Sequence, residues 1–279
     1  MTGTLSIHAS NLDRFNDCPR AAVADRYESL LKQAGYEVRE QSRYVTPLVG
    51  NGVHSGADFL NKEYIRTGLL PTVDTIRAAA EHGFDKFLQM LAKDLEHSDV
   101  KYPVSKFQTN DIIREHIANY VQIYAEQILP NRKLEVTEQF FKVPLKDGWQ
   151  YMSTLDSYGD GTLYDLKTGD IITPAHAQIG TYVHLLRDAG YTVHSCQLDY
   201  IHHPKPNDPP KHTVIKYDAD ACATLAQYTT ARLIGVLEEF LETGNIHVIP
   251  INPRSAGCNQ IFCKLWGTSS CSGWKKNEY

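Results

Sequence analysis

Asp156 and the triplet Asp165-Leu166-Lys167 are the residues of this chain whose types and spacing best suit catalysis. They lie in two runs of alternating character, joined through Tyr158-Gly159-Asp160-Gly161, and an Asp-Gly pair between such runs predicts a hairpin. Strand alternation puts Asp165 and Lys167 on one face and sends Leu166 into the opposite layer. Two carboxylates and an ammonium thus meet on neighbouring strands. Hard oxygen ligands of this kind suit Mg²⁺ or Mn²⁺. A lysine beside them can orient or activate a water, or stabilise charge developing on a phosphate. An Asp-x-Lys alone also describes a plain surface hairpin with an ion pair, so its surroundings must decide.

Cysteine is the second signal. The six stand at 18, 196, 222, 258, 263 and 271. In a reducing compartment such a set points to a metal or redox centre rather than to disulfides. Cys196, in an expected strand, and Cys222, in an expected helix, are read as buried small hydrophobes.

The elements that must position these groups follow from periodicity. Ser10 is a candidate N-cap for a helical stretch through Leu12, Phe15, Val23, Tyr27, Leu30 and Leu31 to Gly35, bent at Cys18-Pro19. A second helix is expected to start near Gly50-Asn51-Gly52 and run to about Thr67. Two amphipathic helices follow, one carrying Ile76, Phe84, Phe87 and Leu91, the other Ile113, Ile117, Tyr120 and Tyr124 before Pro130. They read as a helical insertion over about 68–130. From Leu134 the period becomes two, with Val136, Glu138, Phe140 and Lys142 alternating against Thr137, Gln139, Phe141 and Val143. Strands are expected at Trp149 to Asp156, Leu163 to Lys167, Val193 to Ile201 and Thr213 to Tyr217. One helix is expected from Thr173-Pro174 to Gly190, with Pro174 in its first turn, and another capped by Asp218. The order implies a single α/β domain over 1–279 with a mixed sheet.

Composition fits a globular protein: 279 residues, 42% apolar and 22% charged. Lys plus Arg number 28 against 33 Asp plus Glu, a net charge of −5, so binding to a polyanion has to come from a local groove. Lys205, Lys211, Arg20, Arg43 and Lys275-Lys276 are candidates for such a path, or ordinary solvated charge. His202-His203 follow no ligand spacing. No apolar run is long enough to span a bilayer, and the opening residues lack the pattern of a signal peptide, so a cytoplasmic location is expected.

Asp156, then Asp165-Leu166-Lys167-Thr168-Gly169, then Gln178 and Tyr182, together resemble the PD-(D/E)XK nuclease superfamily in its RecB-like branch. The resemblance implies a restriction-endonuclease-like core, with His54 of Gly50-Asn51-Gly52-Val53-His54 as the motif histidine and Glu138 as the acid of the preceding strand. It implies Mg²⁺ or Mn²⁺ held by Asp156, Asp165, the Leu166 carbonyl and His54, with Lys167 positioning the attacking water and Glu138 acting at a second metal or through a water. Gln178 and Tyr182, at i and i+4, would guide the DNA strand, although Tyr182 also reads as helical core. Cys18, within Asn16-Asp17-Cys18-Pro19-Arg20, and Cys258, Cys263 and Cys271 are similar to the ligands of iron–sulfur nucleases of the CRISPR-associated and AddB type. Four thiolates can hold a [4Fe–4S] cluster, joining a tail over about 245–279 to the N-terminal helix. Zinc on the same thiolates and unligated thiols are the competing readings.

The implied activity is a metal-dependent DNA exonuclease, acting on single-stranded DNA or free ends in recombination, repair, viral DNA processing or CRISPR adaptation, with possible protein partners there. A structure-specific endonuclease and a non-catalytic DNA-binding or assembly module are the rivals.

Overall fold

A computed structural model describes residues 4–41, 43–96, 100–101, 109–146, 148–169, 172–203 and 211–271. The elements in chain order are β1 (Leu5–Ile7), α1 (Ala9–Asp17), α2 (Pro19–Arg26), α3 (Glu28–Gln33), β2 (Arg43–Tyr44), α4 (Val45–Thr67), α5 (Val73–Leu95), β3 (Val100–Lys101) and α6 (Asn110–Ile123). They continue as β4 (Val136–Pro144), β5 (Trp149–Gly159), β6 (Thr162–Gly169), α7 (His176–Asp188), β7 (Ser195–His202), β8 (His212–Asp218) and α8 (Ala219–Thr243). This is a mixed α/β fold: a six-stranded sheet in the order β1-β5-β6-β7-β8, with β4 on β5, flanked by helices. β2 and β3 form a separate two-stranded pair.

Each face of the sheet carries its own apolar core. On one side Leu12 and Phe15 of α1, Leu155 and Leu163 of the sheet, Val183 of α7 and Leu233 of α8 pack together. On the other, α4, α5 and α6 pack over Leu166 and Ile201. Leu166 therefore points away from Asp165 and Lys167, as alternation requires. β6 and β7 are parallel and joined by α7, a βαβ crossover. Cys196 and Cys222 are buried in the first core, as their sequence setting implied.

The Asp160-Gly161 hairpin forms as expected. Both residues have positive φ, 49° and 73°, the conformation a tight two-residue turn requires. Beyond it the two strands soon part. β5 and β6 are paired only from Gly159–Thr162 to Ser157–Tyr164. On the same side of β5, β1 pairs at Trp149 to Tyr151. Between those two pairings the β5 edge is open, and Asp156 stands at its margin.

Several expectations are corrected. The helix carrying His54 begins at Val45, not near Gly50. Pro47 falls in its first turn, where a missing N–H costs nothing. Gly52 serves packing instead: a Cβ on it would lie 2.8 Å from the Gly83 carbonyl oxygen, and one on Gly83 only 2.5 Å from that of Gly52. The first helix starts at Ala9, so Ser10 is inside it rather than capping it, and the stretch to Gly35 is three helices, broken at Cys18 and again at Tyr27. Pro174 lies before α7, which starts at His176. Pro130 falls in a 3₁₀ turn after a π-helical turn at Tyr124–Ile128 rather than directly ending α6. Strict alternation in β4 fails as well, since Val136 and Phe141 are both buried. Glu138 between them has φ 42°, an uncommon value for a non-glycine residue, and it changes the facing of the strand.

Candidate active site

The open margin of β5 gathers groups from four elements. Glu138 lies between the β4–β5 pairs Thr137–Ser157 and Gln139–Leu155, hence across from Asp156. His54, on α4, brings Nδ1 to 3.2 Å from Asp156 Oδ1 and 3.9 Å from Glu138 Oε1. One ligand atom from each of His54, Glu138 and Asp156 lies within 4.8 Å of the other two. The remaining Asp156 oxygen, Oδ2, accepts the Leu166 N–H at 2.6 Å across the gap between the parting strands.

Asp165 stands behind this trio, only 1% exposed. Lys167 Nζ lies 3.1 Å from its Oδ1 and 2.9 Å from its Oδ2. Oδ2 itself takes part in no hydrogen bond. Gln178 of α7 donates to Asp165 Oδ1 at 3.4 Å and to the Tyr182 hydroxyl at 2.9 Å. Tyr182 is buried in the first core and reaches the site through that amide.

The electrostatics follow from crowding three carboxylates with two cations at low exposure. Burial, together with the neighbouring Asp156 charge, pushes the Glu138 carboxyl up to about 7. Burial also opposes ionisation of Asp156. The adjacent His54, Lys167 and the Leu166 N–H outweigh it and hold that carboxyl down at about 2. His54 is raised, because Asp156 outweighs the burial that disfavours an imidazolium. Burial raises Asp165, and the Asp156 charge adds to it against the opposing pull of Lys167. Lys167 is raised: burial opposes its charge, but Asp165 and Asp156 more than compensate.

Some supporting residues gave no signal in the sequence. Asp13 of α1 accepts the N–H groups of Ala177 and Gln178 at 3.0 and 2.8 Å, replacing the cap that α7 lacks and fixing the helix that carries Gln178. Asn61 donates to Thr137 at 3.1 Å and accepts from Tyr124 at 2.6 Å. Tyr124 in turn accepts from Arg132 at 2.9 Å, and Arg132 is paired with the fully buried Asp199. His212 contacts the other Asp199 oxygen at 2.8 Å. This chain of contacts ends beside Glu138. Its members are too scattered in sequence for any spacing rule to connect them.

Cys18, Cys258, Cys263 and Cys271 line one enclosed cavity. No three of these sulfurs lie within 4.8 Å of one another, whereas Zn–S bonds of about 2.3 Å would put them roughly 3.8 Å apart. Arg20 is not a surface cation available to DNA. It is 5% exposed and donates to the carbonyls of Ile249 and Ser270 at 2.9 and 3.1 Å, with its charge beside Cys18 and Cys271. Lys211 is exposed just before β8. Lys205, Lys275, Lys276 and the Arg43 side chain lie outside the described residues.

No family model and no curated protein matches the chain. Among solved structures, it is similar to a candidate exonuclease from Eubacterium rectale, at 14% identity and a TM-score of 0.44, over 82% of this chain and 80% of the other. It is also similar to an alkaline exonuclease from Laribacter hongkongensis, at 12% identity and a TM-score of 0.31, over 67% and 95% respectively. No helix among the described residues is long and apolar enough to cross a membrane.

Proposed function

We propose that this chain is a metal-dependent DNA nuclease of the RecB-like PD-(D/E)XK type, working as an exonuclease from DNA ends. The observation that carries the reading is the convergence of His54, Glu138 and Asp156 within 4.8 Å, backed by the Asp165–Lys167 pair. One imidazole and several carboxylates form a donor set suited to Mg²⁺ or Mn²⁺. Burial and the neighbouring Asp156 charge raise Glu138, and a cation between the two carboxylates would relieve that repulsion. His54, Glu138 and Asp156 would hold it, with Asp165 and the Leu166 carbonyl as further oxygens. When bound, such an ion lowers the pKa of a coordinated water and neutralises charge on the scissile phosphate.

The chain's own residues do the rest. Lys167, fixed by Asp165, presents an ammonium to an attacking water or to a phosphate oxygen. Gln178 keeps Asp165 and Tyr182 in register. Asp156 keeps His54 oriented and, through the Leu166 N–H, holds the two strands apart so that a phosphate can approach.

For the cysteines we favour a [4Fe–4S] cluster, with zinc on the same thiolates as the competing reading, because all four line one cavity. The cluster has no part in phosphodiester hydrolysis. It would tie the C-terminal segment to α1 and α2 within one domain. A cytoplasmic enzyme of recombination, repair, viral DNA processing or CRISPR adaptation fits this chemistry.

End-labelled linear DNA and closed-circular single-stranded DNA, each incubated with Mg²⁺ or Mn²⁺, test the reading. Degradation of the linear form only is expected. Cleavage of the circle would make the enzyme an endonuclease, and inertness on both would leave a binding module.

A further inference from the structure

A second cavity, of about 810 Å³, opens beside the N-terminal end of α4. Its apolar walls are Tyr44, Met90, Ile261 and Phe262, and its polar groups include Gln41 and Asn51. Its described lining residues also include the Asp94 carboxylate, which is 9% exposed, and no Lys or Arg. Its size lies within the roughly 300–1,000 Å³ of small-molecule sites. Two aromatic rings, together with the amides of Gln41 and Asn51 and the Asp94 carboxylate, match a flat heterocycle that stacks on its faces and hydrogen-bonds along its edge.

The cavity and the candidate active site share the helix α4. Pro47, in its wall, is seven residues before His54, so both occupy nearly the same face of the helix. Their separation along the axis is about 10 Å. A base one or two nucleotides from a phosphate at His54 would reach it.

The far wall is a built platform. Between Cys258 and Cys263, Asn259 Oδ1 accepts the N–H groups of Ile261 and Phe262 at 2.9 and 3.1 Å. Arg14 donates to the Phe262 carbonyl at 2.8 Å, and Gln41 to that of Ile261 at 3.2 Å. With the main chain fixed in this way, Ile261 and Phe262 are nevertheless 46% and 57% exposed. Large apolar side chains held out on a tethered turn, beside a cleft that already contains an aromatic ring, are placed to meet a ligand.

We propose that this cavity binds a nucleobase of the substrate strand, with Phe262 and Tyr44 as its stacking surfaces, and so sets the register of the strand at the active site. The proposal rests on the nuclease reading for its ligand but can fail separately from it. The test measures binding of a fluorescently labelled oligothymidylate to the full-length protein without divalent metal. Single abasic nucleotides are moved along the oligonucleotide one position at a time.

One abasic position should weaken binding to the wild type. Phe262→Ala should weaken binding of the intact oligonucleotide by about five- to a hundredfold, the range of base–aromatic stacking. It should have little further effect on the oligonucleotide abasic at that position. Phe262→Trp should restore binding. Because the side chain is exposed, Phe262→Ala should leave the circular dichroism melt unchanged. Equal weakening by Phe262→Ala at every abasic position, or none at all, overturns the proposal while leaving cleavage to be judged by itself. Loss of self-association in the variant, with oligonucleotide binding intact, would make the surface an interface between copies and also overturn it. A register-dependent effect in a protein that cleaves nothing would uphold the base site and reject the nuclease.

Discussion

Asp156 and Leu166 are linked by a hydrogen bond that belongs to neither strand's ladder: the carboxylate Oδ2 takes the N–H that β5 no longer pairs. One carboxylate thereby serves two ends, with one oxygen bracing the gap and the other facing His54. Asp156→Asn retains an oxygen for Leu166 but loses the charge. It should fold normally, lose Mn²⁺ binding by calorimetry and lose more cleavage than the roughly 10–100-fold typical of outer-shell changes at metal sites. Activity within about tenfold of wild type would remove Asp156 from the metal site. The same holds for Asp165→Ala.

Lys167→Met should separate binding from turnover. Mn²⁺ affinity should change by no more than a few-fold, while the single-turnover rate falls at least about a hundredfold. A collapse of metal affinity would make the lysine a support of the ligand set rather than a participant in hydrolysis. Losing its partner leaves Asp165 buried without a cation, so a drop in stability of about 3 kcal/mol should accompany the change.

Gly83→Ala probes how α4 is held. The added methyl would press on the Gly52 carbonyl, and overpacking of this kind costs roughly 1–3 kcal/mol. Urea unfolding should show that loss. Nuclease activity should also decline, because any shift of α4 carries His54 with it.

Acid should weaken the fold through Asp199. Burial raises its carboxyl, but the contacts from His212 and Arg132 outweigh that, and its pKa is lowered on folding. The stabilisation is therefore complete above the unfolded value of about 3.9 and is lost as pH falls through the lower folded value. Denaturation profiles between about pH 2 and pH 5 should show a steeper acid limb for the wild type than for Asp199→Asn. That variant should also lose about 3–5 kcal/mol at neutral pH, since Arg132 keeps its buried charge without a counter-charge.

Protein purified without oxygen should be brown, with iron and sulfide in stoichiometric amounts. Cys18→Ser should lower its thermal midpoint. Colourless protein with one zinc would replace the cluster, and stable metal-free protein would reject both.

The hairpin was readable because Asp160-Gly161 has few alternatives in backbone conformation, and the opposite facing of Leu166 and Lys167 follows from the pleat alone. The start of α4 was not. Pro47 and two glycines look like breakers in one dimension, but they are tolerated where the first turn needs no donor and where two helices nearly touch. β1 has three residues, too few to show a period. Glu138 was placed on the right strand, while its positive φ, which undoes the alternation around it, has no signature in residue type. Asp13, Arg132 and Asp199 act on partners 164 and 67 residues away, separations over which local patterning is silent.

The links from Arg20 to Ile249 and Ser270, and from Ser255 to Asp17, bridge 229, 250 and 238 residues. A ribosome adding about 5–20 residues per second needs on the order of ten to fifty seconds to travel that far. For most of that interval the N-terminal helices are out of the exit tunnel without the C-terminal segment that will pair with them. Their apolar side chains, Leu12 and Phe15 among them, are covered only as the sheet, α7 and α8 follow, and until then are available to chaperones and to neighbouring nascent chains. The strands bearing Asp156 and Lys167 emerge well before the three late cysteines, so the groups of the candidate site can assemble first. The cavity around Cys18 closes after them, and translation order sets the earliest moment at which the proposed metal centre could be loaded.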